Sequence, residues 1–278
     1  MKYGKPVLDV LDRSLKIVFQ TIFNNIPFNN DIHKKMRRTI LATIIAIMFT
    51  ASCADRQPVN DHIITVSIEP LRFLTEQIAG NGYTVQTMVP EGISPETYEP
   101  TTRQMANLAQ SALFIKVGEI GFERTWGDRM KANAPGTKFI SASDGIKPEK
   151  TASGNDDPHT WMSARNAKQM ARNICRALTA LSPKDSKAFS QRTAALCQKI
   201  DSTDNEVRSI ISKSKSKTFL IYHPILTYFA AEYGLTQIPI EEEGREPSAA
   251  QTQATINAAR KSGVKVIFVQ KQFSDQTA

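Results

Sequence analysis

The sequence predicts an α/β fold of two lobes, each with a mostly parallel sheet flanked by helices, joined by one long rigid helix. Short β-prone segments alternate with helical patterns in two separate stretches of the chain, and such alternation is typical of βα units on a parallel sheet. A long helical pattern without internal glycine or proline separates the two stretches. The chain has 278 residues, 41% of them apolar, which is enough for two modest domains or one large one.

The N-terminal lobe is predicted over residues 62–182, and residues 53–61 form a polar tether before it. Alternating apolar positions indicate strands, and apolar residues at helical spacing indicate helices. The predicted strands of this lobe are residues 62–67, 83–89, 112–118 and 137–142. The predicted helices are residues 70–80, 101–111, 122–134 and 163–181.

The linking helix is predicted over residues 183–213. Ser182 is a suitable N-cap, Pro183 fits the first helical position, and Asp185 favours the first turn. The apolar residues of this segment form a single stripe: Phe189, Leu196, Ile200, Val207 and Ile210. At 1.5 Å per residue the helix would be roughly 45 Å long, so we expect a rigid strut between the lobes.

The C-terminal lobe is predicted over residues 214–278, where the alternation of strands and helices resumes. The predicted strands are residues 218–222, 236–240 and 264–270, and the predicted helices are residues 224–234 and 247–263. Residues 271–278 are predicted to begin another helix.

The positive charge of the chain is concentrated at its N-terminus. The formal net charge is +8, and eight Lys or Arg against three Asp give +5 within residues 1–38. The rest of the chain is only mildly basic and has no basic stripe interleaved with aromatic residues. Nucleic-acid binding is therefore not expected.

Residues 36–52 are predicted to be a lipoprotein signal peptide. A basic cluster precedes an apolar run from Ile40 to Phe49, which is too short to span a bilayer, and small residues then lead to Cys53. The segment "TASC" resembles a lipobox, in which the cysteine thiol is lipidated and becomes the new N-terminus. A plain signal peptide with an incidental cysteine is the alternative. Residues 1–35 are interpreted as an upstream extension from a wrongly chosen start codon.

Titratable residues follow the predicted strands at their carboxyl ends, where open α/β sheets bind ligands. Glu96 lies in a loop, His159 lies in "DDPHTW" before a helix, and His223 lies at the tip of a strand. Three glutamates follow the next strand: Glu241, Glu242 and Glu243. Taken singly, a loop glutamate is usually solvated and a lone histidine is usually structural. Two imidazoles and a carboxylate together suit a transition metal such as zinc, manganese or iron.

Three segments carry a resemblance to a known family. The segments "GISPETYEPTTRQMANLAQSALFIKVG", "DPHTWMSARNAKQMARNI" and "IYHPILTYFAAEYG", the last followed by "EGREPSAAQ", resemble the metal-binding components of bacterial zinc and manganese ABC importers. These are the cluster 9 solute-binding proteins, and the similarity covers nearly all of residues 62–278. It implies two αβ lobes with a divalent metal held between them. It also implies an ABC permease and its ATPase as partners.

The resemblance implies ligand roles for three residues. His159 and His223 match histidine ligands of the family, and Glu96 stands where the family usually has histidine. The family's last ligand is an Asp or Glu after the last strand, and we expect this chain to end before that strand. The C-terminal lobe is therefore expected to be incomplete. We expect this chain to bind metal more weakly than a complete chain with the fourth ligand. Zinc is the expected ion because two nitrogens favour it, with manganese or iron as alternatives.

Other functions remain open at this point. A metal-dependent hydrolase or a non-haem iron oxygenase would also use two histidines and a carboxylate. The sequence has no H-E-x-x-H helix, and we expect no enzyme. A surface adhesin is a further alternative. The expected protein is a monomeric lipoprotein, anchored in the membrane through Cys53, on the periplasmic or surface side of the bacterial envelope.

Overall fold

The computed structural model describes residues 59–151, 153–241 and 247–270, which belong to one compact unit spanning residues 57–278. The predicted extension, the signal peptide, Cys53 and most of the tether lie outside the described residues. Glu242, Glu243 and the helix predicted after residue 270 also lie outside them. Within the described part of the chain, no helix is both long and apolar enough to cross a membrane.

The N-terminal lobe contains a four-stranded parallel sheet in the order β2-β1-β3-β4. Its strands are β1 (Asn60–Val66), β2 (Thr84–Thr87), β3 (Ser111–Lys116) and β4 (Lys138–Ser141). Its first helices are α1 (Glu69–Ala79), α2 (Thr102–Ala109) and α3 (Gly121–Asn133). The central strand β3 is buried along nearly its whole length, which explains its continuous apolar sequence.

Two longer helices follow the first sheet, α4 (Ala164–Leu181) and α5 (Ser186–Lys213), and they pack against each other and against α1. A short 3₁₀ turn over Pro183–Asp185 separates them, so the predicted linking helix begins with this turn. The 28 residues of α5 span about 42 Å. Only the first half of its apolar stripe is buried, around Phe189 and Leu196, whereas Ile210 is 69% exposed.

The C-terminal lobe contains a three-stranded parallel sheet in the order β6-β5-β7. Its strands are β5 (Thr218–Ile221), β6 (Thr236–Pro239) and β7 (Ile267–Phe268), and its helices are α6 (Thr227–Tyr233) and α7 (Ala249–Lys261). The strand predicted over residues 264–270 is thus confined to two residues, both about half exposed. The helix predicted from Pro224 begins at Thr227, because residues 223–226 form a turn closed by the Ile225 N–H and the His223 carbonyl.

A buried tyrosine of the C-terminal lobe holds the loop that precedes α4. The Tyr228 hydroxyl on α6 donates a hydrogen bond to the Asp157 carbonyl over 2.7 Å and accepts one from the Glu149 N–H over 3.2 Å. Burial raises the pKa of Tyr228, so the hydroxyl keeps its proton as a donor. The loop that carries His159 is therefore held by a residue of the C-terminal lobe.

Candidate metal centre

The structure brings the three predicted ligands together between the two sheets. Glu96 comes from the loop after β2, His159 from the loop before α4, and His223 from the turn between β5 and α6. One candidate ligand atom from each lies within 4.8 Å of the other two. The Nε2 atoms of the histidines are 3.2 Å apart, and His159 Nε2 is 3.8 Å from Glu96 Oε1. Both histidines are buried.

His159 is oriented by the aspartate two residues before it. Asp157 Oδ1 lies 2.7 Å from both the backbone nitrogen and the Nδ1 of His159. Burial alone would raise the pKa of Asp157, but its hydrogen bonds with His159 and the His159 charge hold this pKa below its ordinary value. An ionised carboxylate only accepts hydrogen bonds, so Nδ1 carries the proton. Nε2 then faces the site, and it can bind a metal ion when the imidazole is neutral.

His223 is oriented in the same manner by a carboxylate of its own lobe. Its Nδ1 makes a short hydrogen bond to Glu241 Oε1, and Glu241 is only 4% exposed. The Gln270 side chain accepts a hydrogen bond from the His223 N–H over 3.3 Å and donates one to the His223 carbonyl over 2.6 Å. Backbone and ring of His223 are therefore both fixed, with Nε2 towards His159.

Glu96 presents its two carboxylate oxygens to different partners. Oε2 accepts a hydrogen bond from the Gly121 N–H, in the first turn of α3, over 3.2 Å. Oε1 is buried and makes no hydrogen bond within the described part of the protein. It is the oxygen that faces His159. One oxygen is thus held by the backbone, while the other is directed at the histidines.

These contacts create a centre that attracts a cation. Two imidazole lone pairs and a carboxylate oxygen face one another, and they repel unless a proton or a metal ion lies between them. In a tetrahedral zinc site with metal–ligand distances near 2.0–2.1 Å, two donor atoms are about 3.4 Å apart. The observed separations of 3.2 Å and 3.8 Å lie on either side of this value. Within the described residues, no other group of three His, Cys, Asp or Glu comes together in this way.

Cavities lie on both sides of the centre. The larger, of about 790 Å³, is lined by residues of both signs of charge, among them Arg124, Glu149, Lys150 and Asp156. The smaller, of about 200 Å³, is mostly apolar. Trp161 lines this second cavity, and its ring lies edge-on to that of His159 with centroids 5.2 Å apart. The centre is therefore buried but not sealed from solvent.

The three residues predicted as ligands come together, whereas the residues that orient them were not predicted. Of the glutamates in the β2–α2 loop, only Glu96 joins the centre, whereas Glu91 and Glu99 are exposed. Asp157 and Glu241 were visible as acidic residues near the histidines, and the D-x-H spacing of "DPH" is a usable signal for a carboxylate that orients an imidazole. Gly121 carried no sequence signal, since its contact depends on how α3 packs.

Comparisons with known proteins agree on one family. The family model described as "ZnuA: Zinc-uptake complex component A periplasmic" matches residues 64–278. The high-affinity zinc uptake system protein ZnuA of Bacillus subtilis is 28% identical over 247 residues, which is 82% of this chain and 76% of that protein. The manganese ABC transporter substrate-binding lipoprotein PsaA of Streptococcus pneumoniae is 25% identical over 262 residues, which is 86% of this chain and 83% of that protein. A crystal structure of ZnuA superposes with a TM-score of 0.75 at 33% identity, covering 78% of this chain and 85% of that one.

Proposed function

The chain belongs to the zinc-uptake complex component A family, and on that premise we propose that it captures zinc and delivers it to a membrane importer. It is the extracytoplasmic solute-binding component of an ABC importer. Zinc is its cargo and not a catalytic cofactor. Glu96, His159 and His223 bind the ion between the two lobes.

One observation carries this proposal: the Nε2 atoms of His159 and His223 oppose each other at 3.2 Å. Each Nδ1 is engaged by a buried carboxylate, Asp157 for one ring and Glu241 for the other. Carboxylates in this position fix the tautomer and raise the basicity of a metal-binding imidazole. Two preoriented lone pairs and a carboxylate leave room for a fourth donor, such as water, in a tetrahedral zinc site.

The choice of ion follows from the donor atoms. Two nitrogens and one oxygen bind zinc more tightly than manganese or iron(II) in the ordinary order of affinities. Glu96 stands in place of a third imidazole, and its oxygen is a harder donor than nitrogen. It therefore reduces the difference in affinity between zinc and manganese or iron(II). The family includes a protein named for zinc and another named for manganese. Manganese and iron are therefore the competing ions in a test of selectivity.

Delivery of the ion requires the site to open, and the ligands come from both lobes. Glu96 and His159 are attached to the first lobe, and His223 to the second. A small tilt between the lobes would separate His223 from the other two and leave the ion with fewer donors. The ABC permease, with its ATPase, is the partner that would receive it.

Attachment to the membrane is proposed through Cys53. Cleavage before this residue and lipidation of its thiol would keep the protein beside its permease, and several acyl chains anchor stably where one does not. Cys53→Ser should release the protein from membranes. Mass spectrometry that finds an unmodified Cys53, or a mature N-terminus elsewhere, would contradict this part of the proposal.

The proposed function is tested by titrating the metal-free protein with zinc, manganese and iron(II) in a calorimeter. We expect one zinc per chain and tighter binding of zinc than of the other two ions. Deletion of the gene should reduce growth in zinc-depleted medium, and added zinc should restore it. Tighter binding of manganese or iron, or undiminished zinc uptake without the gene, would overturn the proposal.

A further inference from the structure

The N-terminus of α3 holds one of the proposed ligands directly. The Gly121 N–H, in the first turn of this helix, donates to Glu96 Oε2 over 3.2 Å. The next residue, Phe122, donates its N–H to the Pro95 carbonyl over 3.2 Å. Two successive backbone donors of one helix terminus therefore fix the loop and the side chain of Glu96. A helix N-terminus also favours negative charge, which suits an ionised carboxylate.

Residue 121 has to be glycine for this contact. A Cβ added at Gly121 would lie 2.2 Å from the Glu96 carbonyl oxygen and 2.9 Å from Oε2. The closest of these atoms belongs to the backbone, so a side chain at 121 could be accepted only if the loop moved away from the helix. A shift of the loop would carry Glu96 away from the histidines.

We propose that Gly121 is a positioning residue that makes Glu96 a ligand through one oxygen, and that it thereby sets the preference of the site for zinc over manganese. This inference rests on the proposed metal-binding function. Oε2 is turned to the backbone of α3, whereas Oε1 faces His159 and is buried without a hydrogen-bond partner among the described residues. Only Oε1 is in place to bind an ion shared with the two histidines.

The link to selectivity lies in coordination number. Zinc is satisfied by four ligands, and single contacts from Glu96, His159 and His223 supply three. Manganese prefers six ligands, most of them oxygen, and a carboxylate that binds through both oxygens helps to reach that number. Holding Oε2 on the Gly121 N–H withholds that second oxygen. A Glu96 released from α3 would lose its fixed position for zinc and gain a mode that favours manganese.

The experiment compares two glycine-to-alanine variants of the same helix, Gly121→Ala and Gly127→Ala. Gly127 has no atom within 4 Å of an added Cβ, so its variant is a matched control. Calorimetry should show a zinc dissociation constant about 10–100-fold higher for Gly121→Ala, the usual effect of losing a residue that orients a ligand. The manganese constant should change less, so the affinity ratio of zinc to manganese should fall. Gly127→Ala should have the same zinc and manganese dissociation constants as the parent.

Two further measurements separate positioning from general damage. In a Glu96→Ala background, Gly121→Ala should cause no additional loss of zinc affinity, because it acts through the Glu96 side chain. Cobalt(II) serves as a spectroscopic probe, since four-coordinate cobalt absorbs visible light more strongly than cobalt with five or six ligands. The parent and Gly127→Ala should give intense bands, and Gly121→Ala weaker ones.

A second variant covers the case in which Gly121→Ala fails to fold. Glu96→Asp leaves the backbone of α3 unchanged but shortens the side chain by one methylene. One oxygen then cannot stay on the Gly121 N–H while the other reaches the histidines, so the same fall in the zinc to manganese ratio is expected.

The outcomes are distinct from those of the proposed function. Equal loss of zinc and manganese affinity in Gly121→Ala or in Glu96→Asp, or the same zinc loss with and without Glu96, would overturn the role of Gly121 while zinc capture stands. A parent chain that binds no zinc would overturn both.

Discussion

The Nε2 atoms of His159 and His223 face each other across the two lobes at 3.2 Å. Neither ring can turn this nitrogen elsewhere without breaking a hydrogen bond from its Nδ1 to a buried carboxylate. A hydrogen bond between the two Nε2 atoms needs one proton, and two deprotonated nitrogens at this distance would repel each other. A cation that replaced the proton would be bound by both lone pairs, so this relationship predicts an affinity for metal.

Removal of one of these nitrogens should abolish most of the zinc response. Zinc that binds only the folded state raises the melting temperature, and a ligand at 100 times its dissociation constant adds about 2.7 kcal/mol of stability. His159→Ala should lose most of this zinc-dependent rise in a thermal melt. His62→Ala is the control, because His62 is exposed and its ring contacts the Gly82 carbonyl and the Tyr83 ring, not the candidate ligands. An unchanged zinc response in His159→Ala would make this histidine a structural residue.

Zinc affinity should depend on pH in one direction. Protons and metal ions compete for the same imidazole nitrogens, so each histidine must lose its Nε2 proton to bind. We expect zinc affinity to fall as the pH is lowered, because protonation of either imidazole removes the lone pair that would bind the ion. Calorimetric titrations at several pH values check this, and proton release on binding should accompany it. A zinc affinity that stays constant between pH 5.5 and 8 would exclude the histidines as ligands.

Glu241 should influence metal binding without touching the ion. Its carboxylate accepts the Nδ1 proton of His223, and Glu241→Gln would leave an amide that also can donate, so the ring could adopt the wrong tautomer. We expect zinc to bind about 10–100-fold more weakly, the usual range for a residue that orients a ligand. Glu91→Gln is the control, since Glu91 is an exposed residue at the rim of the smaller cavity. Equal zinc affinity for the two variants would show that the Glu241 contact is dispensable.

The sequence contains enough information for the fold and for the central residues of the site. Alternating patterns predict seven strand positions that the structure contains. Glu96, His159 and His223, predicted from their loop, pre-helix and strand-tip positions and from the family resemblance, come together in the structure. Asp157 lies only two residues from the histidine it orients, but Glu241 and Gly121 are separated from His223 and Glu96 by 18 and 25 residues. No local pattern encodes such contacts, because they depend on how helices and loops pack in three dimensions.

The start of helix α6 differs from the sequence-based prediction. Pro224 is a good first residue of a helix, so the pattern favours a helix that starts there. The structure uses residues 223–226 as a turn, and Gln270 binds the backbone of His223 on both sides. Tertiary hydrogen bonds that hold the backbone of His223 thus override the local helical preference.

A buried carboxylate remote from the histidines gives a second pH dependence, this time of stability. Glu123 is 2% exposed, and it accepts hydrogen bonds from the N–H groups of Val117 and Gly118. Burial outweighs these hydrogen bonds and raises the pKa of Glu123 above its ordinary value. In the window above that ordinary value, the folded protein binds more protons than the unfolded chain, so this group's contribution to stability falls as the pH rises.

Glu123→Gln should remove this dependence. Its amide oxygen can accept from only one of the Val117 and Gly118 N–H groups, and the loss of a hydrogen bond to a buried group costs about 1–3 kcal/mol. We expect the variant to be less stable than the parent, with the difference greatest at low pH and smaller as the pH rises through the raised pKa. Urea unfolding of the two metal-free proteins from pH 4 to 8 measures this difference in the free energy of unfolding. A difference that grows with pH would contradict the assigned direction.

The long helix α5 should limit how far the lobes move when the ion binds. Its first half packs on the N-terminal lobe through Phe189 and Leu196, and its second half contacts α6 of the C-terminal lobe. The Arg208 guanidinium lies 3.5 Å from the buried Glu232 carboxylate, and the Tyr233 hydroxyl donates to Asp204 over 2.8 Å. A helix of about 42 Å that is fixed at both ends resists bending, so we expect small tilts and loop shifts in place of wide hinge closure.

Small-angle X-ray scattering of the metal-free and zinc-loaded protein measures this directly. The radius of gyration should change little on addition of zinc. Arg208→Ala removes the ion pair with Glu232 and should permit a larger change. Arg129→Ala is its matched control, because Arg129 lies on α3 over the ring of Trp126, away from α5. A large contraction of the parent protein on binding zinc would show that α5 does not hold the lobes at a fixed separation.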